Sequence, residues 1–350
     1  MNESLRFVLY APNVHMSGGL ILLRALLDEM PKTIELVAFF DSRARAHLAP
    51  PTDSTCFWIK ANIWSRLAAE IRLRSYATRQ TKIFCFHGLP PILPSLAHVI
   101  VFQQNRNLFG LNSVFEFSLK TGLRIATERL ISIFFRKNVS QYVVQTPSME
   151  RNLRNWFSSN SIDRVLPLIR VIPFIKFIYK PKQINNLERK WDFVYISHGE
   201  AHKNHRNLLQ AWRILAQENL RPTLALTVFS HDLNLKKEIE YFRKSVANEV
   251  YDLGQLSREE VWELYCNSRA LIFPSTSESF GLPLIEASYL GLPIIASELD
   301  YVRDVCVPVE TFDPKSPVSI ARAVKRFLGV PEPTVNLKSP TEFWQELLYK

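Results

Sequence analysis

Short runs of nearly continuous apolar, β-branched-rich sequence recur along the 350 residues, and longer helical patterns separate them. The strand candidates are Leu5–Tyr10, Ile34–Phe40, Lys82–Phe86, Val99–Phe102 and Tyr142–Gln145, then Phe193–Ile196, Leu224–Phe229, Ala270–Phe273 and Pro293–Ala296. A strand with one face in water alternates apolar and polar residues, whereas one covered on both faces is apolar throughout. Helical stretches lie between them at Leu20–Met30, Ile63–Arg74, Phe117–Lys137, Asn207–Ala216, Arg258–Cys266 and Leu284–Leu290. Strand–helix alternation of this kind leads to right-handed crossovers and doubly wound parallel sheets, so the expected class is α/β.

The alternation breaks once, between Ile172-Pro173 and Trp191, where Tyr179-Lys180-Pro181-Lys182 and Asn185-Asn186 read as a linker. This gives an N-terminal domain over 1–178 and a C-terminal domain over 187–335. Ser339-Pro340-Thr341-Glu342 reads as a capping box opening a terminal helix through Phe343, Trp344 and Leu347. That helix, within 336–350, would be available to pack back on the N-terminal domain.

A hydrophobic content of 47% excludes a disordered chain. No apolar run reaches the ~18–20 residues that span a bilayer, and Met1–Tyr10 lacks a signal-peptide layout. The expected location is the cytoplasm. Cys56, Cys85, Cys266 and Cys306 form no CxxC pair, which argues against a disulfide framework and a Cys-rich zinc site. Charge is uneven: residues 1–180 hold 23 Lys and Arg against 11 Asp and Glu, and residues 181–350 hold 20 against 22. A basic half suits an anionic partner, although a solubility surface explains many such excesses. Two basic amphipathic helices carry much of it. One has Arg66, Arg72 and Arg74 with apolar Trp64, Leu67 and Ile71. The other has Lys120, Arg124, Arg129 and Arg136 with apolar Leu119, Leu123, Leu130 and Phe134. The ordinary expectation is that the apolar faces pack on the sheet. Peripheral docking at the anionic inner face of a membrane is the additional expectation, lost at high salt.

The chemistry-bearing segment is Phe273-Pro274-Ser275-Thr276-Ser277-Glu278-Ser279-Phe280-Gly281-Leu282-Pro283-Leu284-Ile285-Glu286-Ala287. A strand ends at Pro274, a loop carries Glu278 and Gly281, and a helix is expected from about Pro283 with Glu286 in its first turn. Amides at Phe280, Gly281 and Leu282 would then lie at a helix N-terminus, where phosphate or hydroxyl groups bind. Taken alone, the residue types favour reading the two glutamates as a cap and a dipole partner.

The string resembles the E-x7-E signature of retaining nucleotide-sugar glycosyltransferases of family 4, which have the GT-B fold of two Rossmann-like doubly wound domains facing across a cleft. The likeness continues through Gly291–Ser297, Tyr301–Cys306 and Phe312-Asp313-Pro314, with Leu253–Ser257 and Leu264-Tyr265 upstream. The resemblance implies that Glu286 holds the ribose, that Glu278 contacts the transferred sugar, and that the Phe280, Gly281 and Leu282 amides meet sugar and phosphate. Gly254 and Gln255 would border the base. Lys203, in Ser197–His205, matches the lysine that binds the diphosphate, while His198 stands where many members carry Arg. His198, His202 and His205 also have spacings that suit metal ligands, but no carboxylate or cysteine completes the set, so no metal is expected. Gly18-Gly19 resembles the turn that family members place against the donor diphosphate. It is not GxGxxG, so no dinucleotide cofactor is indicated.

His87 and the Gln103-Gln104-Asn105-Arg106 run end two strands of the N-terminal sheet. The place of the family's loop histidine holds Gln103 or Gln104, and His87 is the candidate that compensates beside the transferred sugar. Asn105 and Arg106 would face the acceptor. The implied activity is a hexosyltransferase, mannose- or rhamnose-type, working with retention on a glycan or lipid-linked acceptor of bacterial surface polysaccharide. Lys203, Glu278 and His87 would be its catalytic residues, with no cofactor beyond the donor. A GT-B sugar-nucleotide epimerase, a non-catalytic sugar-nucleotide binder and a nucleic-acid binder remain alternatives. The last lacks any RNA-binding motif.

Overall fold

The computed structural model describes residues 5–109, 119–160, 167–177, 189–228, 232–246, 249–331 and 339–340. Most of the expected linker, including Tyr179–Lys182 and Asn185-Asn186, lies outside them, as do Phe117 and the terminal-helix residues Thr341, Glu342, Phe343, Trp344 and Leu347. The chain divides into two compact units. The first takes in Met1–Asn185, Ser277–Glu286 and Leu299–Cys306; the second takes in Asn186–Thr276, Ala287–Glu298 and Val307–Lys350.

The first unit holds β1 (Leu5–Ala11), α1 (Ser17–Asp28), β2 (Ile34–Asp41), β3 (Thr55–Ile59), α2 (Ile63–Tyr76), β4 (Lys82–Cys85), β5 (His98–Phe102), α3 (Leu119–Phe134), β6 (Gln141–Val144), α4 (Pro147–Asn160) and β7 (Leu168–Val171). Its sheet is parallel, in the order β3-β2-β1-β4-β5-β6-β7. Val8 lies opposite Val37 on one side and Ile83 on the other. Successive strand residues point to opposite faces, so each strand feeds two cores. Val8, Tyr10, Phe39 and Cys85 meet Leu73 of α2 and Leu153 and Phe157 of α4 on one face. Leu9, Ala11, Phe40 and Phe86 meet Leu22, Leu23 and Leu27 of α1 on the other. Each large apolar side chain fully buried in this way contributes roughly 1.5–3 kcal/mol.

The amphipathic helices do not pack as expected. On α2 the buried residues are Ala69, Glu70 and Leu73, whereas Trp64, Leu67 and Ile71 point outward. On α3 Ile125 is buried, and Leu119, Leu123, Leu130 and Phe134 are exposed. The inward stripe of α2 is only Ala69, Glu70 and Leu73, which leaves the larger apolar stripe on the outside.

The second sheet is built from β8 (Trp191–Tyr195), α5 (His205–Gln217), β9 (Leu224–Leu226), α6 (Leu233–Ser245), β10 (Val250–Asp252), α7 (Arg258–Cys266), β11 (Ser268–Phe273), α8 (Leu282–Tyr289), β12 (Ile294–Ser297), α9 (Asp300–Arg303), β13 (Glu310–Phe312) and α10 (Pro317–Phe327). Of these, α9 and the first half of α8 fall in the first unit. The strands are parallel in the order β10-β9-β8-β11-β12-β13. A capping box starts α7: Ser257 Oγ accepts from the Glu260 amide and the Glu260 carboxylate accepts from the Ser257 amide. The Ser316 side chain caps α10 in the same position, with Pro317 next to it.

Strand order reverses direction between β1 and β4 in the first sheet and between β8 and β11 in the second. In open parallel sheets the crevice outside the carboxyl ends at such a reversal is where ligands bind. The Gly18-Gly19 turn and His87 follow β1 and β4; Ser197–Lys203 and Ser275–Glu278 follow β8 and β11.

Candidate active site

In the first unit the chain leaving β1 turns into α1 at Ser17. A Cβ on Gly18 would lie 3.0 Å from Leu282 Cδ1, and one on Gly19 would lie 3.7 Å from Gln104 Oε1, so the absence of side chains lets this helix start approach both segments. Gln104 Nε2 donates to the Phe86 carbonyl at 2.9 Å. Gln103 is buried, and its Oε1 lies where a Cβ on Gly88 would intrude; Gly88 has φ +83°. Of the two glutamines, Gln104 therefore keeps access to solvent.

His87 Nδ1 lies 3.2 Å from the Tyr10 carbonyl. A carbonyl oxygen only accepts, so the proton sits on Nδ1 and Nε2 carries the lone pair. Burial lowers the His87 pKa to about 4, against the opposing Tyr10 hydrogen bond, and the ring is neutral near pH 7. Beneath it, the Tyr10 hydroxyl donates to buried Glu70 at 3.1 Å, and the other Glu70 oxygen accepts from the Ile92 amide. Burial raises the pKa of both Tyr10 and Glu70. Arg66 donates to Asn13 Oδ1 in the loop after β1.

Asn105 Oδ1 accepts from the Asn107 amide at 3.0 Å, closing a local turn. Arg106 Nη1 donates to the Glu278 carbonyl at 3.1 Å, and burial lowers the guanidinium pKa against the pull of Tyr301, Asp300, Glu278 and Asp304. Arg106 thus holds the backbone of the Glu278 loop. Asp304 accepts from the Ser148 amide at 2.8 Å at the start of α4 and from the Ser148 hydroxyl.

Helix α8 begins at Leu282, and Glu286, expected in the first turn, is its fifth residue and is buried. The earlier start follows from Gly281, whose φ of +70° lets the chain reverse straight into the helix, with the Leu284 amide bonded to the Gly281 carbonyl. Among the described residues the amides of Phe280, Gly281 and Leu282 donate to no protein acceptor. They form an open helix N-terminus with Glu278 four residues before it.

In the second unit the segment after β8 is tied down at nearly every residue. The Ser197 amide donates to Thr227 Oγ1 at 3.2 Å, and the Gly199 amide donates to Asp232 Oδ2 at 2.9 Å, where a Cβ would collide with Asp232. A single 3-10 turn over Ala201–Lys203 carries His202 and Lys203. The His202 carbonyl accepts from the Thr276 amide at 2.8 Å and the Ser275 hydroxyl at 3.0 Å, and the Lys203 carbonyl accepts from the Tyr195 hydroxyl at 2.7 Å. Asn204 adopts φ +62° and its Nδ2 donates to the Pro274 and Pro314 carbonyls at 3.0 and 2.7 Å. Lys203 is thereby presented on a backbone fixed by the ends of β8, β11 and β13. His205 is turned inward against Ser197 Oγ at 3.1 Å, and burial lowers its pKa to about 4. His198 lies in the same loop, partly buried. Gly254, φ +73°, donates its amide to Asp252 Oδ1, and Gln255 beside it is exposed.

The topology therefore puts Gly18, Gly19, His87, Gln103, Gln104, Asn105, Arg106, Glu278, Phe280, Gly281, Leu282 and Glu286 in the first unit, and His198, Lys203, Gly254 and Gln255 in the second. Sequence reading passed over Tyr10–Glu70 and Arg66–Asn13, because partners 60 and 53 residues apart leave no local pattern. Asn204 did leave a signal, an Asn just before a helical run, the residue type that most readily takes the left-handed region after Gly.

Residues 178–341 match the family model of the glycosyl transferases group 1. A serotype-specific mannosyltransferase WbdA of Escherichia coli is 31% identical over 155 residues, which are 43% of this chain and 19% of the relative. The O-antigen chain mannosyltransferase B of Escherichia coli is 33% identical over 115 residues, 32% of this chain and 30% of the relative. The chain thus spans about a fifth to a third of these curated relatives. Among solved structures, sucrose-phosphate synthase of Thermosynechococcus elongatus superposes with a TM-score of 0.68 at 17% identity, covering 93% of this chain and 90% of that one. HepE of Anabaena, solved with UDP and glucose, superposes with a TM-score of 0.62 at 14% identity over the same shares. Residues 178–341 therefore resemble the glycosyl transferases group 1, and the two Rossmann-like parallel sheets are those of the GT-B fold.

Proposed function

We propose that the chain transfers a hexose, with mannose favoured, from a nucleoside diphosphate sugar to a hydroxyl of a glycan or lipid-linked acceptor, with retention, in bacterial surface polysaccharide synthesis. One observation carries the reading: Glu278 and Glu286 flank an open helix N-terminus, at Phe280–Leu282, inside the segment matched to group 1. The mannose preference rests on the names of the two Escherichia coli relatives. In this reading Glu286 accepts from the ribose hydroxyls and Glu278 from the transferred sugar. The Phe280, Gly281 and Leu282 amides, Lys203, His198 and the Gly18-Gly19 turn meet sugar and diphosphate, and Gly254 and Gln255 border the base.

The reaction needs charge stabilisation more than a nucleophile. The anomeric C–O bond to the diphosphate breaks, the acceptor oxygen bonds to the same face of that carbon, and its proton passes to the departing phosphate. Lys203 and oriented amides lower the energy of the charge that develops on the leaving group. His87, neutral with a lone pair on Nε2, is suited to accept a hydrogen bond from a sugar hydroxyl rather than to supply a cation. Gln104 and Asn105 would contact the acceptor. Arg106 acts by positioning the Glu278 loop. The chemistry assigned to these residues requires no metal.

The test is transfer from a panel of nucleoside diphosphate hexoses, with the anomeric configuration of the product read by NMR. Transfer of mannose with retention, unchanged by a chelator, is the expected outcome. Inversion, or activity that depends on an added divalent ion, would contradict the mechanism.

A further inference from the structure

An open cavity of about 400 Å³ lies in the first unit beside α4. Small-molecule sites span about 300–1,000 Å³. Among the described residues, α4 lines it with Asn152, Asn155, Trp156 and Ser159. The last three follow Asn152 by three, four and seven positions, so the four share one face of the helix. Arg129 and Ile133, one turn apart on α3, also line it, with Phe109. The 3-10 turn Arg106–Phe109 packs against both helices, and its Asn107 carbonyl accepts from Arg129 Nε at 3.1 Å and Nη2 at 2.8 Å. Helix α4 runs back from the carboxyl end of β6, and Trp156 lies roughly 13 Å along it from Pro147. The cavity is therefore set back from the crevice that holds the Gly18-Gly19 turn and His87.

Trp156 is only 7% exposed, yet its indole N–H donates to no protein acceptor among the described residues and is not sealed from solvent. A buried donor is nearly always paired, and the cavity is where a partner for this one can enter. The side chains of Asn152 and Asn155 likewise make no hydrogen bond to protein among the described residues. An asparagine amide both donates and accepts, as does a serine hydroxyl, which suits a ligand whose own groups do both. Neighbouring hydroxyls of a sugar have that character. An anion only accepts, so the amide oxygens would oppose it, and Arg129, the one cation lining the cavity among the described residues, is already engaged with Asn107. No acid lines it among those residues to meet a cationic ligand. Phe109, Ile133 and the indole supply apolar surface for the C–H face of a pyranose ring.

We propose that this cavity binds a saccharide unit of the glycan acceptor, at a distance from the hydroxyl that receives the transferred sugar. The proposal deepens the acceptor reading and rests on it for the choice of sugar. A second point of attachment raises the effective concentration of a long acceptor at the place of transfer, so long chains gain and short ones do not.

The test is calorimetric titration of a mannose oligosaccharide into the full chain without donor, with the Trp156 indole N–H followed by proton–nitrogen NMR and assigned through Trp156→Phe. Saturable binding that shifts this signal is the expected result. Asn152→Ala with Asn155→Ala should weaken it at least about tenfold, since each amide contributes a hydrogen bond worth ~0.5–1.5 kcal/mol. Neither amide bonds to protein among the described residues, and thermal denaturation checks that the variant keeps its fold. With donor present, the same variant should raise KM for the oligosaccharide at least about tenfold and leave kcat, and transfer to a monosaccharide acceptor, unchanged. No saccharide binding to wild type overturns the proposal, as does equal affinity in the double variant. A Trp156 signal moved by inorganic phosphate and not by the oligosaccharide also overturns it, by making the cavity an anion site. Binding is read without donor, so a chain that binds the oligosaccharide here and transfers no mannose contradicts the transfer reading alone.

Discussion

Lys203 and His205 are two residues apart in sequence and opposite in environment. Lys203 ends a 3-10 turn whose carbonyls are bonded to the ends of β8 and β11, whereas His205 is turned inward against Ser197. If the ammonium of Lys203 meets charge that grows on the departing phosphate, Lys203→Ala should lower kcat by at least about a hundredfold and raise KM much less. A change confined to KM would make Lys203 a ground-state contact only. For His205 the consequence is a dependence of stability on pH. Its pKa is lowered to about 4 in the folded chain against ~6.5 unfolded. Between these values the unfolded state binds more protons, so stability is complete above about pH 6.5 and falls as pH drops toward 4. The full displacement corresponds to roughly 3 kcal/mol. His87 adds a contribution of the same sign. Urea midpoints of wild type and His205→Gln, compared at pH 7.5 and 5, check this: the variant should lose less stability on acidification. Parallel losses would show that His205 titrates normally.

Elements differ in how plainly they are written in the sequence. The central strands β1, β2, β4, β5, β8, β11 and β12 were legible because helices cover both faces and the apolar run is unbroken. The strands that left no such run are β3, β7, β10 and β13, and they are the four sheet edges. An edge strand is half-wetted and short: β7 buries only Ile169 and β13 only Phe312. Helices α4, α6 and α10 were hidden by polar outer faces over narrow buried stripes, such as Met149, Leu153, Trp156 and Phe157 on α4. The site segments were legible where one loop carries them, as from Phe273 to Glu286. The ties that join loops were not. Asn204 is the clearest, since its two carbonyl partners lie 70 and 110 residues away. Asn204→Ala should cost about 2–3 kcal/mol, from two lost hydrogen bonds and a Cβ in the left-handed region. Asn204→Gly should cost about 1 kcal/mol less, because glycine takes that conformation freely. Thermal denaturation of the two variants checks the order; equal losses would mean that backbone conformation contributes little there.

At the scale of the molecule, two doubly wound parallel sheets and their strand reversals follow from the order of elements, and the candidate residues fall on the loops that leave those reversals. The division into compact units did not follow from order alone. Ser277–Glu286 and Leu299–Cys306 cluster with the first unit although they lie between strands of the second sheet, and the links from Arg106 to Glu278 and from Ser148 to Asp304 are among the contacts that place them there. The donor reading predicts that this chain binds a nucleoside diphosphate through Glu286. A charge-assisted hydrogen bond to ribose hydroxyls contributes ~1.5–3 kcal/mol, equivalent to roughly one to two orders of magnitude in affinity. Calorimetric titration of nucleoside diphosphates into wild type and Glu286→Ala is the most direct test. The account predicts saturable binding to wild type that weakens about 10- to 100-fold in a variant that remains folded; no binding to wild type, or equal affinity in both, would contradict it.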